Sequence, residues 1–132
     1  MTRVATLTMN PAVDVTVEVD RILPTHKLRC TAARRDAGGG GVNVARVIQR
    51  LGGDVVAVFP IGRTQGAWLA RRMRNEGVPS VAIPVDGETR EDFTAVETST
   101  GQQYRFVLPG PVLSGTDWRG LLDALSSLEP AP

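Results

Sequence analysis

The chain has 132 residues, 42% of them hydrophobic and 22% charged, with a formal net charge of +1. That composition suits one ordinary globular domain with a real core, and it carries no global pull toward nucleic acid or an anionic membrane. A single cysteine, Cys30, and a single histidine, His26, exclude an internal disulfide and a multi-cysteine metal cluster, and leave no donor set for zinc.

Met1 to Leu7 contains no apolar run long enough for a signal peptide or a membrane span, so the expected location is the cytoplasm. Val4 to Thr8 reads as a short buried strand. Val13, Val15, Val17 and Val19 alternate with Asp14, Thr16, Glu18 and Asp20, the pattern of a strand with one wet face. Leu28 to Ala33 is its expected partner, after the turn at Pro24-Thr25-His26. The fifteen cationic residues include one lysine, Lys27, which either marks a site wanting a compact charge or reflects chance.

A helix is predicted over Val42 to Leu51, with Val44, Val47, Ile48 and Leu51 as its apolar stripe and Gly52-Gly53 as its stop. Val55 to Phe59 is fully apolar, as expected of a strand buried on both faces. Thr64 is the expected cap of a second helix running through Trp68, Leu69 and Met73 to Gly77. Val81 to Val85 reads as a strand, and Phe93 to Thr98 with Gln103 to Leu108 as a hairpin around Ser99-Thr100-Gly101. Ser114 and Asp117 form a capping box for a third helix with Trp118, Leu121, Leu122 and Leu125 on one face. Alternating strands and helices indicate a parallel α/β sheet with the wet-faced strands as an appendage. The chain stops at Leu128-Glu129-Pro130-Ala131-Pro132, where such a fold should supply another strand, so the sequence reads as a fragment.

Gly38-Gly39-Gly40-Gly41 runs directly into the first helix. A glycine run is costly in backbone entropy, and it is read either as a flexible linker or as bare main chain that something lies against. Free N–H groups at a helix start suit a polar or anionic ligand, and Asn43 adds an amide that donates and accepts. The spacing excludes a P-loop, since no Lys-Ser/Thr pair follows the glycines, and it fails the dinucleotide fingerprint.

Gly39-Gly40-Gly41-Val42-Asn43-Val44-Ala45, followed by Gly52 and Gly62, resembles the first signature of the ribokinase-like (PfkB) sugar kinases. Thr6-Leu7-Thr8-Met9-Asn10-Pro11-Ala12-Val13-Asp14 is similar to the opening of the branch that phosphorylates sugar phosphates. Lys27-Leu28-Arg29-Cys30-Thr31-Ala32 and Gln103 to Gly110 resemble the minor type of bacterial 6-phosphofructokinase. The fold this implies is the N-terminal part of a three-layer α/β sandwich, with a β lid over about 12–35 and 90–108 and the C-terminal nucleotide-binding half absent.

The resemblance also implies the site. Asp14 would accept from sugar hydroxyls, though on alternation alone it is a wet strand position. Gly39, Gly40 and Asn43 would lie against the sugar ring. Lys27, Arg29 and Arg90 would hold the phosphate already on the substrate, with Arg29 crossing a dimer interface. Arg105 is a fourth cation, otherwise an exposed hairpin residue. The implied reaction is ATP-dependent, Mg²⁺-assisted phosphorylation of fructose 6-phosphate; fructose 1-phosphate and tagatose 6-phosphate are alternative substrates, and sugar-phosphate binding without catalysis is a further alternative. The lid would pair with that of a second subunit, through the apolar face of Val13 to Val19. No catalytic residue and no metal ligand is expected in this chain. The family's second signature, roughly D-T-x-G-A-G-D with the general-base Asp, has no counterpart here, so the chain alone is expected to bind no nucleotide and to turn over negligibly.

Overall fold

The computed structural model describes residues 2–129, and the expectations for Met1 and for Pro130-Ala131-Pro132 lie outside the described residues. In chain order the elements are β1 (Val4–Leu7), β2 (Ala12–Val19), β3 (Arg34–Gly38), α1 (Gly40–Arg50), β4 (Val55–Ile61), α2 (Arg63–Asn75), β5 (Ser80–Pro84), β6 (Arg90–Glu97), β7 (Gln103–Phe106) and α3 (Gly115–Ser126). They form two sheets. A parallel one runs β1-β4-β5, and a mixed one runs β3-β2-β6-β7 with β2 and β6 parallel and both outer pairs antiparallel.

The parallel sheet is the middle of three layers. Along β4, Val55, Ala57 and Phe59 join one apolar cluster with Val42 and Ala45 of α1 and Leu69 and Met73 of α2. Val56 and Val58 point to the other face and are also buried, and α3 packs on β4 and β5 there with Leu121 fully buried. Each such large side chain contributes about 1.5–3 kcal/mol by leaving water. None of the three helices is long and apolar enough to cross a membrane.

The mixed sheet joins this core through one edge of its apolar face. Val13 and Val15 of β2 and Ala37 of β3 belong to the same cluster as Leu69 and Met73. The apolar face of β2 is therefore covered within the chain, contrary to the expectation that it is free for a second subunit. Val13, Val15, Val17 and Val19 are all at most 8% exposed. The apolar residues left open lie farther out on the same face: Phe93 of β6 and Tyr104 and Phe106 of β7, with Phe93 and Phe106 in tilted ring contact at 6.2 Å.

Three local expectations are corrected. The ladder partner of β2 is Arg34–Gly38, not Leu28 to Ala33; that earlier segment is bonded to β2 at Thr31, whose N–H donates to the Glu18 carbonyl at 2.9 Å and whose hydroxyl accepts from Glu18 N–H at 3.0 Å. Thr64 does not cap α2. The cap position is Gly62, and the carboxylate of Glu88, far along the chain, accepts from Gln65 N–H at 2.6 Å instead. On α1 the face toward the sheet is Val42 and Ala45, whereas Val44, Val47 and Leu51 of the predicted stripe are exposed and only Ile48 packs against the core. The helix seats close to β1, and small residues fit that gap. The capping box at Ser114 and Asp117 forms as expected, with both reciprocal bonds present.

Candidate functional site

The register of the mixed sheet decides what shares its wet face. Asp14 on β2 is opposite Asp36 on β3 and Asp92 on β6, so three carboxylates stand in one row across three strands. In the next row Thr16 is opposite Arg34 and Thr94, and Thr94 is opposite Arg105 on β7. These side chains line a concavity of about 300 Å³.

The three carboxylates are not equivalent. Asp36 is paired with Arg34 at 3.0 Å and Arg72 at 3.4 Å, and Asp92 is paired with Arg90 at 3.1 Å. Asp14 has no cation within ion-pairing distance among the described residues. Burial, then the neighbouring Asp92, pushes its carboxyl above the ordinary aspartate value, while Arg90 and Arg105 pull it back. It is the one carboxylate of the row whose charge no ion pair among the described residues offsets.

The glycine run begins beneath Asp14. A Cβ on Gly38 would fall 2.5 Å from the Asp14 carboxylate. Gly39 has φ of 109° and caps α1 without a side chain, and a Cβ on Gly41 would sit 2.5 Å from the Thr8 hydroxyl and 3.1 Å from the Leu7 carbonyl. Three of the four glycines are thus required by the protein's own packing or backbone. Gly40 is different: nothing lies within 4 Å of where its Cβ would be. Gly40 and Asn43 are exposed at the start of a helix with no side-chain cap and no acidic residue in its first turn. α2 and α3 both have such caps, from Glu88 and Ser114. The start of α1 offers hydrogen-bond donors and positive dipole to whatever occupies the space over Gly40.

The expected cations separate into two groups. Arg105 is exposed on the wet face, lines the same concavity as Asp14 and has no ion-pair partner among the described residues. Arg90 is already engaged: its Nη1 faces Asp92 and its Nη2 donates to the Asn10 carbonyl at 3.1 Å, while its buried Nε has no partner among the described residues. Lys27 and Arg29 are exposed in the connection after β2; Arg29 lies beside Glu18, Val19 and Asp20, at the far end of β2 from Asp14. One chain does not bring these two to the Asp14 concavity. Sequence reading missed Asp36, Asp92 and Arg34. Their signal is the repeated Arg-x-Asp spacing at 34–36 and 90–92, which places each ion pair on one strand face.

Among the described residues no group of three or more His, Cys, Asp or Glu side chains is disposed to hold a metal ion. Comparison with known proteins sets this geometry in a family. The model of the pfkB family carbohydrate kinases matches residues 7–131. The ATP-dependent 6-phosphofructokinase isozyme 2 of Mycobacterium tuberculosis is 50% identical over 123 residues, 93% of this chain and 36% of that protein. A 1-phosphofructokinase of Xanthomonas campestris is 32% identical over 93% of this chain and 39% of its own length. The crystal structure of Escherichia coli phosphofructokinase-2 in complex with fructose 6-phosphate superposes with a TM-score of 0.93 at 39% identity, covering 98% of this chain and 43% of that one. The chain therefore spans well under half the length of these relatives, and the mixed α/β fold expected from its signatures is the one observed. It belongs to the pfkB family of carbohydrate kinases.

Proposed function

We propose that this chain carries the sugar-phosphate-binding part of an ATP-dependent kinase that phosphorylates fructose 6-phosphate. The observation that carries this reading is that Asp14, the one carboxylate of its row without an ion-pair partner, lies over Gly38, which leads directly into the open, uncapped start of α1. An ionised carboxylate accepts from vicinal hydroxyls, and helix N–H groups with the Asn43 amide complete the hydrogen bonding of a polyol. Arg105 is the free cation for the phosphate already on the sugar. Arg90 reaches that phosphate only by sharing its guanidinium with Asp92. The kinship with a 6-phosphofructokinase isozyme at 50% identity, against 32% for a 1-phosphofructokinase, favours the 6-phosphate.

In such a reaction the work of these residues is orientation: they hold the acceptor hydroxyl in line with the incoming phosphoryl group and shield it from water. ATP with Mg²⁺ is the phosphoryl donor. Its site is proposed to lie in the portion of the relatives that this chain does not span. The exposed Phe93, Tyr104 and Phe106 form the proposed homodimer face, and a partner's Lys27-to-Arg29 loop is the remaining source of cations. The strands of the mixed sheet then act as a lid, in a cytoplasmic enzyme.

Titration calorimetry tests the assignment. Fructose 6-phosphate should bind more tightly than fructose 1-phosphate or tagatose 6-phosphate, and Asp14→Asn and Arg105→Ala should each weaken it by about tenfold or more. Equal affinity in wild type and Asp14→Asn would refute the reading.

A further inference from the structure

β3 is an edge strand, and among the described residues its outer side faces no other strand. Unpaired carbonyls on such an edge need donors. Here they come from two helices. Arg46 of α1 donates from Nη1 to the Ala37 carbonyl at 2.9 Å, and Arg72 of α2 donates from Nη1 to the Arg35 carbonyl at 3.5 Å while its Nη2 lies 3.4 Å from the Asp36 carboxylate. Both guanidiniums converge on Glu76, the C-cap of α2. Arg46 forks onto it with contacts of 2.7 and 2.9 Å, and Arg72 Nε donates at 2.6 Å. The Arg46 fork, more than Arg72, holds the Glu76 carboxyl down to about 2, so it stays charged throughout the physiological range. Trp68 packs against the same group, with the guanidinium carbons of Arg35 and Arg72 at 5.1 and 5.8 Å from its ring centre.

The grip falls at Arg35, Asp36 and Ala37, immediately before Gly38, over which Asp14 lies, and Gly39, which opens α1. We propose that Arg46, Arg72 and Glu76 are positioning residues for the sugar site, fixing β3 against α1 and α2 so that Asp14 and the bare backbone of Gly39 and Gly40 face one another. None of the three is proposed to touch the sugar. Arg72 also supplies charge: with Arg34 it neutralises Asp36, which leaves Asp14 as the free acceptor of the row. This inference rests on the sugar-site reading above, and it is tested by a signal that does not need sugar.

The charged groups around Asp14 are Glu18 farther along β2, Arg34 and Asp36 of β3, Arg90 and Asp92 of β6, Arg105 of β7 and Arg46 of α1. In Arg72→Met, Asp36 keeps only Arg34, the row becomes more negative, and the Asp14 carboxyl should titrate at higher pH than in wild type. The measurement is ¹³C NMR of the Asp14 carboxyl in the chain without ligand, with the amide resonances of Gly38 to Gly40 as the geometric readout. Arg72→Met should raise the Asp14 midpoint, Glu76→Gln should displace those amides, and Arg72→Lys should restore the midpoint because it keeps the charge. Fructose 6-phosphate affinity should fall about tenfold in the first two variants, as expected for a small misplacement of binding groups. Folded Arg72→Met and Glu76→Gln proteins with a wild-type Asp14 midpoint and wild-type glycine amides would overturn the proposal, even if Asp14→Asn still abolished sugar binding. Conversely, an Asp14→Asn variant with undiminished affinity would refute the sugar site while the apo titration still reported on the clamp. A loss of thermal stability alone, with midpoint and amides unmoved, marks a merely structural cluster and also overturns it.

Discussion

Gly40 and Gly41 are adjacent, both belong to the first turn of α1, and the structure assigns them opposite roles. Replacing Gly41 by alanine puts a methyl 2.5 Å from the Thr8 hydroxyl and 3.1 Å from the Leu7 carbonyl, and the second of these is backbone that cannot turn aside. Such overpacking costs about 1–3 kcal/mol, offset by about 1 kcal/mol from the better helix propensity of alanine. The net loss of up to about 2 kcal/mol should lower Tm by up to about 8 °C in a domain of this size. Gly40→Ala meets nothing within 4 Å. Its Tm should stay level or rise by a few degrees, by about the propensity gain. The same methyl occupies the space assigned to the sugar, so affinity for fructose 6-phosphate should fall by about tenfold or more, the equivalent of about 1.4 kcal/mol. Differential scanning calorimetry paired with titration calorimetry reads both quantities. A Gly40→Ala protein that binds like wild type would refute the assignment of the ligand to this helix start. A Gly41→Ala protein with unchanged Tm would show that the gap under α1 is looser than drawn.

Three further outcomes follow from named groups. Because the folded Asp14 carboxyl is raised above its unfolded value, its contribution to folding stability improves as pH falls through the folded value, whereas sugar affinity, which needs the carboxylate, weakens over the same range. A calorimetric pH series should show affinity and this part of stability moving in opposite directions, and Asp14→Asn should remove both trends. Glu76 is shifted the other way, from 4.5 to about 2. Its contribution, on the order of 2 kcal/mol, is present above its unfolded value and is lost as pH falls from about 4.5 toward 2, so Glu76→Gln should be less stable at neutral pH and show a shallower acid dependence of Tm. Phe106→Ser removes a large exposed apolar side chain of the outer sheet face, and sedimentation should show the proposed homodimer weakened toward monomer; an unchanged sedimentation profile would refute this face as the interface.

Much of the fold is legible in periodicity. The strict alternation of Val13 to Val19 gives β2, the apolar run gives β4, and the hairpin and the Ser114 capping box follow from local chemistry. What escapes is decided by contacts distant in sequence. Arg34–Gly38 has charged residues and weak strand propensity, and it is a strand because β2 offers it a ladder and arginines from two helices satisfy its outer edge. The cap of α2 comes from Glu88, which no local pattern near Thr64 reveals. The stripe of α1 carries the correct period but the wrong face, because its close seat on β1 selects Gly41, Val42 and Ala45 and turns Val44, Val47 and Leu51 outward. For the candidate site, Asp14, Gly39, Gly40 and Asn43 follow from the family signature. The neutralised carboxylates on either side of Asp14 need the strand register, which the sequence does not state.

The most direct test of the central claim is a fructose 6-phosphate titration of the ¹⁵N-labelled chain followed by NMR. Saturable shifts should concentrate on the amides of Gly38 to Gly41, on Asn43 and its side chain, and on Asp14 and Arg105. Shifts scattered over the surface, or none there while the folded spectrum persists, would contradict the assignment of this concavity to a sugar phosphate.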